Sequence, residues 1–113
     1  MITTDEELIN QGFKKFNASA ISSDSVKYMF QKRYKNNQGT TLYFLDINKW
    51  DWSFAKDKVP EQYTYQIETQ LYKKGDHEAI NIEFGSNITV EDAEKFIQAM
   101  FDADLIEAYD CDL

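Results

Sequence analysis

Aromatic side chains after a strand-like stretch are the first residues of this sequence whose types and spacing suggest chemistry. Trp50 and Trp52 flank Asp51 at the end of YFLDINKWDW, residues 43–52. Strand residues alternate between faces, so the two indoles share one face and Asp51 lies on the other. Such a pair can close the core, anchor a protein partner, or stack on a nucleic-acid base beside Lys49. The first two roles stay open, and the third is disfavoured because the sequence shows no wider basic face.

Acidic residues are concentrated at the end of the chain. Residues 91–113 hold eight of the 20 acids and one base, Lys95, whereas residues 1–90 hold 12 acids and 11 bases. Phosphates are repelled by such an end, so we expect no direct nucleic-acid binding there. The carboxylates either solubilise the chain or dock on a basic protein surface. The candidate binding residues, besides Trp50 and Trp52, are Asp102, Asp104, Glu107, Asp110 and Asp112.

Catalytic and metal-binding signatures are missing from the sequence. It contains no glycine-rich phosphate loop, no serine elbow, and no paired cysteines or histidines at metal spacing. His77 falls in a polar turn, and Cys111 lies among acids that blunt a thiol's nucleophilicity. The terminal acids lack the spaced ligands and the glycine of a calcium loop. We therefore predict a protein that is not an enzyme, with no catalytic residues, no cofactor and no metal.

Composition predicts one compact domain, residues 1–113. Hydrophobic residues make up 42% of the chain and aromatic residues 15%, which is enough for a core despite the net charge of −8. No apolar run approaches the roughly 20 residues of a membrane-spanning helix. The first ten residues lack the basic and apolar blocks of a secretory signal, and a single cysteine can form no internal disulfide. These features predict a cytoplasmic protein that does not bind membranes.

Hydrophobic periodicity predicts helices at residues 5–16 and 89–109. The first begins at a capping box formed by Thr4 and Glu7, and the second at Thr89. The second helix also carries a continuous apolar stripe, which can cover one face of a sheet.

Alternating apolar and polar residues between the helices predict four antiparallel strands in two hairpins, with one face of the sheet buried and the other wet. Four strands and a covering helix make a two-layer α+β fold. The expected strands are 26–34, 40–50, 63–71 and 80–84. The expected core consists of Phe30, Phe44, Tyr65, Ile67, Ile80, Ile82, Phe84, Phe96, Ile97, Met100 and Phe101.

The order of these strand motifs resembles a group of known proteins. The stretches are FQKRY at 30–34, YFLDINKWDW at 43–52, YTYQIETQLYKK at 63–74 and HEAINIEFGSN at 77–87, followed by an acidic helix. They resemble small uncharacterised proteins encoded by phages and prophages of Gram-positive bacteria. The resemblance implies a short accessory protein of a mobile element in a bacterial cytoplasm, and it implies no activity or functional residue.

Two functions from different classes fit this sequence. The first is a small acidic protein-binding module that modulates or inhibits a host or phage enzyme through its acidic C-terminal helix. The second is a structural or assembly protein that self-associates through the wet sheet face or an edge strand.

Overall fold

A single antiparallel sheet with helices on one face forms the fold. The computed structural model describes residues 3–17, 26–51, 60–75 and 78–108. The helices are α1 (Asp5–Asn10) and α2 (Val90–Asp102), and a short 3-10 helix spans Glu61–Thr64. The strands are β1 (Lys14–Asn17), β2 (Val26–Lys35), β3 (Thr41–Trp50), β4 (Tyr65–Lys73), β5 (Ala79–Gly85) and β6 (Ile106–Glu107).

The five main strands lie side by side in chain order, β1-β2-β3-β4-β5, and every neighbouring pair is antiparallel. The short β6 pairs with the end of β4, where Glu107 lies opposite Tyr72. The predicted α+β class and antiparallel sheet are confirmed. The predicted strand number of four is wrong, because residues that the sequence places at helix ends form β1 and β6.

α1 ends at Asn10 rather than at residue 16 because Gly12 closes it. Gly12 has φ +95°, a conformation that costs glycine little. Its N–H donates to the carbonyl of Ile9, and the N–H of Phe13 donates to the carbonyl of Leu8, both at 3.0 Å. This Schellman motif satisfies the last carbonyls of the helix. It also buries Phe13 beside Leu8 and sends the chain into β1.

α2 ends in the same way, at Asp102 rather than at residue 109. The N–H of Asp104 donates to the carbonyl of Phe101, and that of Leu105 donates to the carbonyl of Met100, both at 3.0 Å. Here the left-handed position is occupied by Asp104, with φ 58°, instead of glycine. Periodicity misses this ending because aspartate is a weaker signal than glycine for the left-handed conformation.

The core lies between the helices and one face of the sheet, which we call the core face; the opposite side is the open face. Both helices and each of the strands β2, β3, β4 and β6 contribute buried side chains to this cluster. Its buried members are Leu8, Phe13, Phe30, Tyr43, Leu45, Ile47, Tyr65, Ile67, Leu71, Val90, Ala93, Ile97 and Ile106.

The predicted core is confirmed in part. Phe30, Tyr65, Ile67 and Ile97 are buried in it. A second group, which is only partly buried against it, comprises Ile80, Ile82, Phe84, Met100 and Phe101. Phe44 is buried but lies on the open face, because strand residues alternate. Phe96 does not belong to the core, since half of its surface is exposed.

β3, the central strand, is buried on both of its faces. It directs Leu45 and Ile47 to the core face, and Phe44 and Asp46 to the open face. The open face is therefore wet at its margins but not along its centre, where a ring and a carboxyl group are buried, as the apolar run at residues 42–45 predicts for a central strand.

Asp104→Gly should stabilise the protein by about 0.5–1 kcal/mol, because glycine adopts positive φ without strain. The exposed ion pair with Lys74, 3.1 Å in length, would be lost at little cost. Asp102→Gly is the matched control, since glycine inside the last helical turn should destabilise by about 1 kcal/mol. Urea unfolding of the three proteins measures both effects. Equal destabilisation by the two substitutions would contradict this assignment of the helix end.

Candidate functional site

α2 presents an acidic outer face to solvent. Its N-terminus is fixed by Thr89, whose hydroxyl accepts from the N–H of Asp92 at 3.0 Å. Val90, Ala93 and Ile97 bury the inner side of the helix. The exposed residues define the outer face, namely Glu91, Asp92, Lys95, Phe96, Gln98, Ala99 and Asp102.

Phe96 is the large apolar side chain of this outer face, with 50% of its surface exposed. Helix residues are about 100° apart around the axis, so the neighbour of the buried Ile97 must lie on the flank of the helix. The ring is held edge-on against Phe84, with the ring centroids 5.5 Å apart. Sequence reasoning missed this exposure, although a helical projection centred on Ile97 shows it.

The acidity of the outer face is only partly neutralised within the chain. Lys95 lies 3.0 Å from Glu91, whose hydrogen bond and charge raise the pKa of the ammonium group. Asp102 accepts from the amide of Gln98 at 3.0 Å, which leaves its charge in place. The net charge of this face is therefore negative, and its one base is already paired with an acid.

The candidate acids lie in different environments. Asp102 and Asp104 are exposed at the end of α2, as expected for binding residues. Glu107 is half-buried in β6 rather than exposed on the helix, and its carboxylate accepts from the N–H of Gly75 at 3.4 Å. Asp110 and Asp112 lie outside the described residues.

Of the two tryptophans, the structure describes Trp50. Trp50 ends β3 opposite Val26, is half-buried, and has a buried indole nitrogen. Trp52 lies outside the described residues, as do His77 and Cys111. Lys49 is 4% exposed, donates to the hydroxyl of Thr64 and lies over the ring of Tyr65. Lys49 is therefore not available to contact a nucleic-acid base stacked on Trp50.

A cleft of about 440 Å³ lies between α1 and the first turns of α2. Three glutamates, Glu7, Glu91 and Glu94, line it together with a single base, Lys32. Burial and the neighbouring Glu94 raise the pKa of Tyr34 well above its usual range, so that hydroxyl stays neutral. The cleft suits a cationic group such as a lysine or arginine side chain. Sequence reasoning missed this cleft because Glu7 lies far along the chain from Glu91 and Glu94.

Asp46 is a buried carboxyl group at the centre of the open face, 2% exposed. It accepts from the amide of Gln31 at 2.9 Å, and its cross-strand neighbour on β4 is Glu68. Burial, opposed by the hydrogen bond from Gln31 and assisted by the charge of Glu68, raises its pKa from 3.8 to about 6. The folded protein therefore binds this proton more tightly than the unfolded chain does.

No metal or membrane element is found in the described residues. Among them, no group of three or more His, Cys, Asp or Glu side chains is placed to hold a metal ion. No helix in the described ranges is long and apolar enough to cross a membrane.

Comparison with known proteins gives no relative. No protein-family model matches the chain, and neither the curated proteins nor the solved structures contain a significant match.

Asp46→Asn should stabilise the protein at neutral pH by about 1–3 kcal/mol, because it removes a buried charge that the fold disfavours. In the wild type, the protonated Asp46 contributes to the free energy of unfolding. This stabilising contribution is fully present below pH 4 and is lost as the pH rises to about 6. The free energy of unfolding should therefore differ little between the two proteins at pH 4 and diverge by pH 7. Asp102→Asn is the exposed control. If Asp46→Asn and wild type give parallel curves from pH 4 to pH 7, this account of Asp46 is wrong.

Proposed function

We propose that this chain is a non-enzymatic protein-binding module, and that the outer face of α2 docks on a basic surface of its partner. Phe96 carries the proposal, because a large ring is held half-exposed among carboxylates. In the setting that the sequence resemblance implies, the protein is a phage or prophage accessory protein in a bacterial cytoplasm. Its partner would be a host or phage enzyme that it modulates or inhibits.

Aromatic side chains dominate the binding energy of protein interfaces when they enter a pocket on the partner. Phe96 is suited to this role because Phe84 restricts its ring before binding, which lowers the entropy lost on association. Leu105, 58% exposed just beyond the helix, is a second exposed apolar side chain in this part of the chain. An isolated exposed leucine needs no explanation, but together with Phe96 it gives a partner two apolar contacts.

The carboxylates around Phe96 orient the partner and raise its rate of association. Asp92 and Asp102 lie at opposite ends of the outer face, and Asp104 follows the helix. Exposed charges contribute only about 0.2–1 kcal/mol each to affinity. Several of one sign attract a basic surface from a distance and align it before contact.

The cleft between the helices continues this negative surface towards α1. Glu91 belongs both to the outer face and to the cleft lining, so the two regions are contiguous. A partner that covers Phe96 could place a lysine or arginine side chain in the cleft, beside Glu7 and Glu94. A basic partner therefore fits better than a neutral or acidic one.

A photo-crosslinking residue in place of Phe96 should capture the partner directly in the cells that make the protein. The same residue in place of exposed Lys27 on β2 is the control and should not capture that protein. Purified partner should then bind Phe96→Ala about 10- to 100-fold more weakly than wild type. The fold should lose less than the roughly 3–5 kcal/mol of a fully buried phenylalanine. Unchanged affinity for Phe96→Ala would remove α2 from the interface.

Neutralising Asp92, Asp102 and Asp104 to asparagine should slow association and flatten its salt dependence, because screening acts over about 10 Å at 0.1 M salt. The matched control neutralises Glu6, Glu78 and Glu83, three exposed acids off the outer face, to glutamine. Stopped-flow association rates at two salt concentrations distinguish an effect of the charges on the outer face from an effect of the net charge of the whole protein. Equal slowing by both triple variants would show that only the net charge matters.

A further inference from the structure

Charge on the open face is divided between the two halves of the sheet. On the open face, β1 and β2 carry the bases Lys14 and Arg33, with Lys35 in the same groove, and the described residues of these two strands contain no acid. On the open face of β4 and β5 the charged residues are Glu68 and Glu83, with no base. One transverse row shows this division, since the pairing places Lys14, Gln31, Asp46, Glu68 and Glu83 in register on successive strands. We call it the polar row.

The order of the strands makes this division self-complementary. β3 is the third of the five main strands, so β1 and β5 are equally far from it. Two sheets can face each other across a two-fold axis that runs parallel to β3. The rotation places β1 of one copy over β5 of the other, and β2 over β4. The basic half of each sheet then faces the acidic half of its mate.

We propose that the open face binds a second copy of this chain, forming a closed two-fold dimer in which the sheets pack face to face. The polar row fixes the alignment, because Lys14 of each copy faces Glu83 of the other and Gln31 faces Glu68, while Asp46, buried in each chain, meets its own copy on the two-fold axis. Both side chains of the outer pair, Lys14 and Glu83, are exposed in the single chain. Facing sheets lie about 10 Å apart, a gap that lysine and glutamate side chains span together.

The basic half contains a recess that can receive the acidic half of the mate. A groove of about 460 Å³ lies over β1 and β2, with Lys14, Arg33 and Lys35 among the described residues that line it. Phe16 and Phe44 supply apolar surface in the same groove. It therefore offers positive charge and apolar contact at the place where the rotation puts Glu68 and Glu83.

The size of the face sets the strength of the dimer. Five strands about 4.8 Å apart and of this length cover roughly 600 Å² per copy. A total near 1,200 Å² is at the lower limit for specific interfaces, so the association should be weak and reversible.

Pairing through the edge strands is the competing geometry. Joining β1 of one copy to β5 of the next also brings Lys14 to Glu83, but it leaves two edges free and grows without closing.

The dimer and the proposed function use different surfaces. α2 covers the core face, so its outer face points away from the open face. A face-to-face dimer would carry two such surfaces on opposite sides and could hold two partner molecules. Failure of the dimer would leave partner binding by a single chain intact, and loss of partner binding would leave the dimer intact.

Charge reversal with complementation tests the dimer. Sedimentation at low salt should show the wild-type mass rising from 13.3 kDa towards a plateau at twice that value. Lys14→Glu places acid opposite acid, and Glu83→Lys places base opposite base. Because each contact occurs twice in the dimer, either variant should raise the dissociation constant about tenfold. An equimolar mixture of the two variants should restore dimers near wild-type affinity, since both contacts become attractive again.

Matched controls separate the local contact from net charge. Lys95→Glu and Asp102→Lys make the same charge changes on exposed positions of α2, and their dissociation constants should stay within about twofold of wild type. A wild-type chain that remains monomeric up to about 1 mM would overturn the proposal. So would a mass that grows past two copies, which indicates edge pairing, or a mixture that fails to restore association.

Discussion

Burial of β3 on both faces is the constraint on which the rest of the structure depends. The strand gives Leu45 and Ile47 to the core, where α1, α2 and the neighbouring strands cover them. The same backbone must direct Phe44 and Asp46 to the other side, because strand side chains alternate. On the open face Arg33 lies over the ring of Phe44, and Gln31 and Glu68 flank Asp46, so a buried carboxyl group lies at the centre of that face.

Hydrogen bonds on the open face compensate for the burial of that carboxyl group. Asp46 is kept in place by the amide of Gln31, while Glu68 accepts from Asn48 at 3.2 Å and from Asn81 at 3.3 Å. These hydrogen bonds tie four strands together across the face. They leave charge at its margins, basic beside β1 and acidic beside β5. A face organised in this way suits a polar, aligned contact better than a general hydrophobic one.

Periodicity predicted the features that depend on repeated local pattern. The strands β2 to β5, the start of α2 and part of the buried core follow from alternation and helical spacing. The ends of both helices did not, because a Schellman motif at Gly12 or Asp104 is a single-residue event inside an apolar pattern. Phe96 was wrongly assigned to the core because the predicted apolar stripe of α2 included residues on the flank of the helix. The charge division of the open face could not be predicted, since it depends on strand order and register.

We propose that the sheet uses its core face for folding and its open face for association. A dilution series followed by amide and side-chain NMR shifts tests it most directly. We expect concentration-dependent shifts at Lys14, Gln31, Glu68 and Glu83 on the open face, with α2 unchanged. Shifts confined to α2, or the same spectrum at every concentration, would contradict the account.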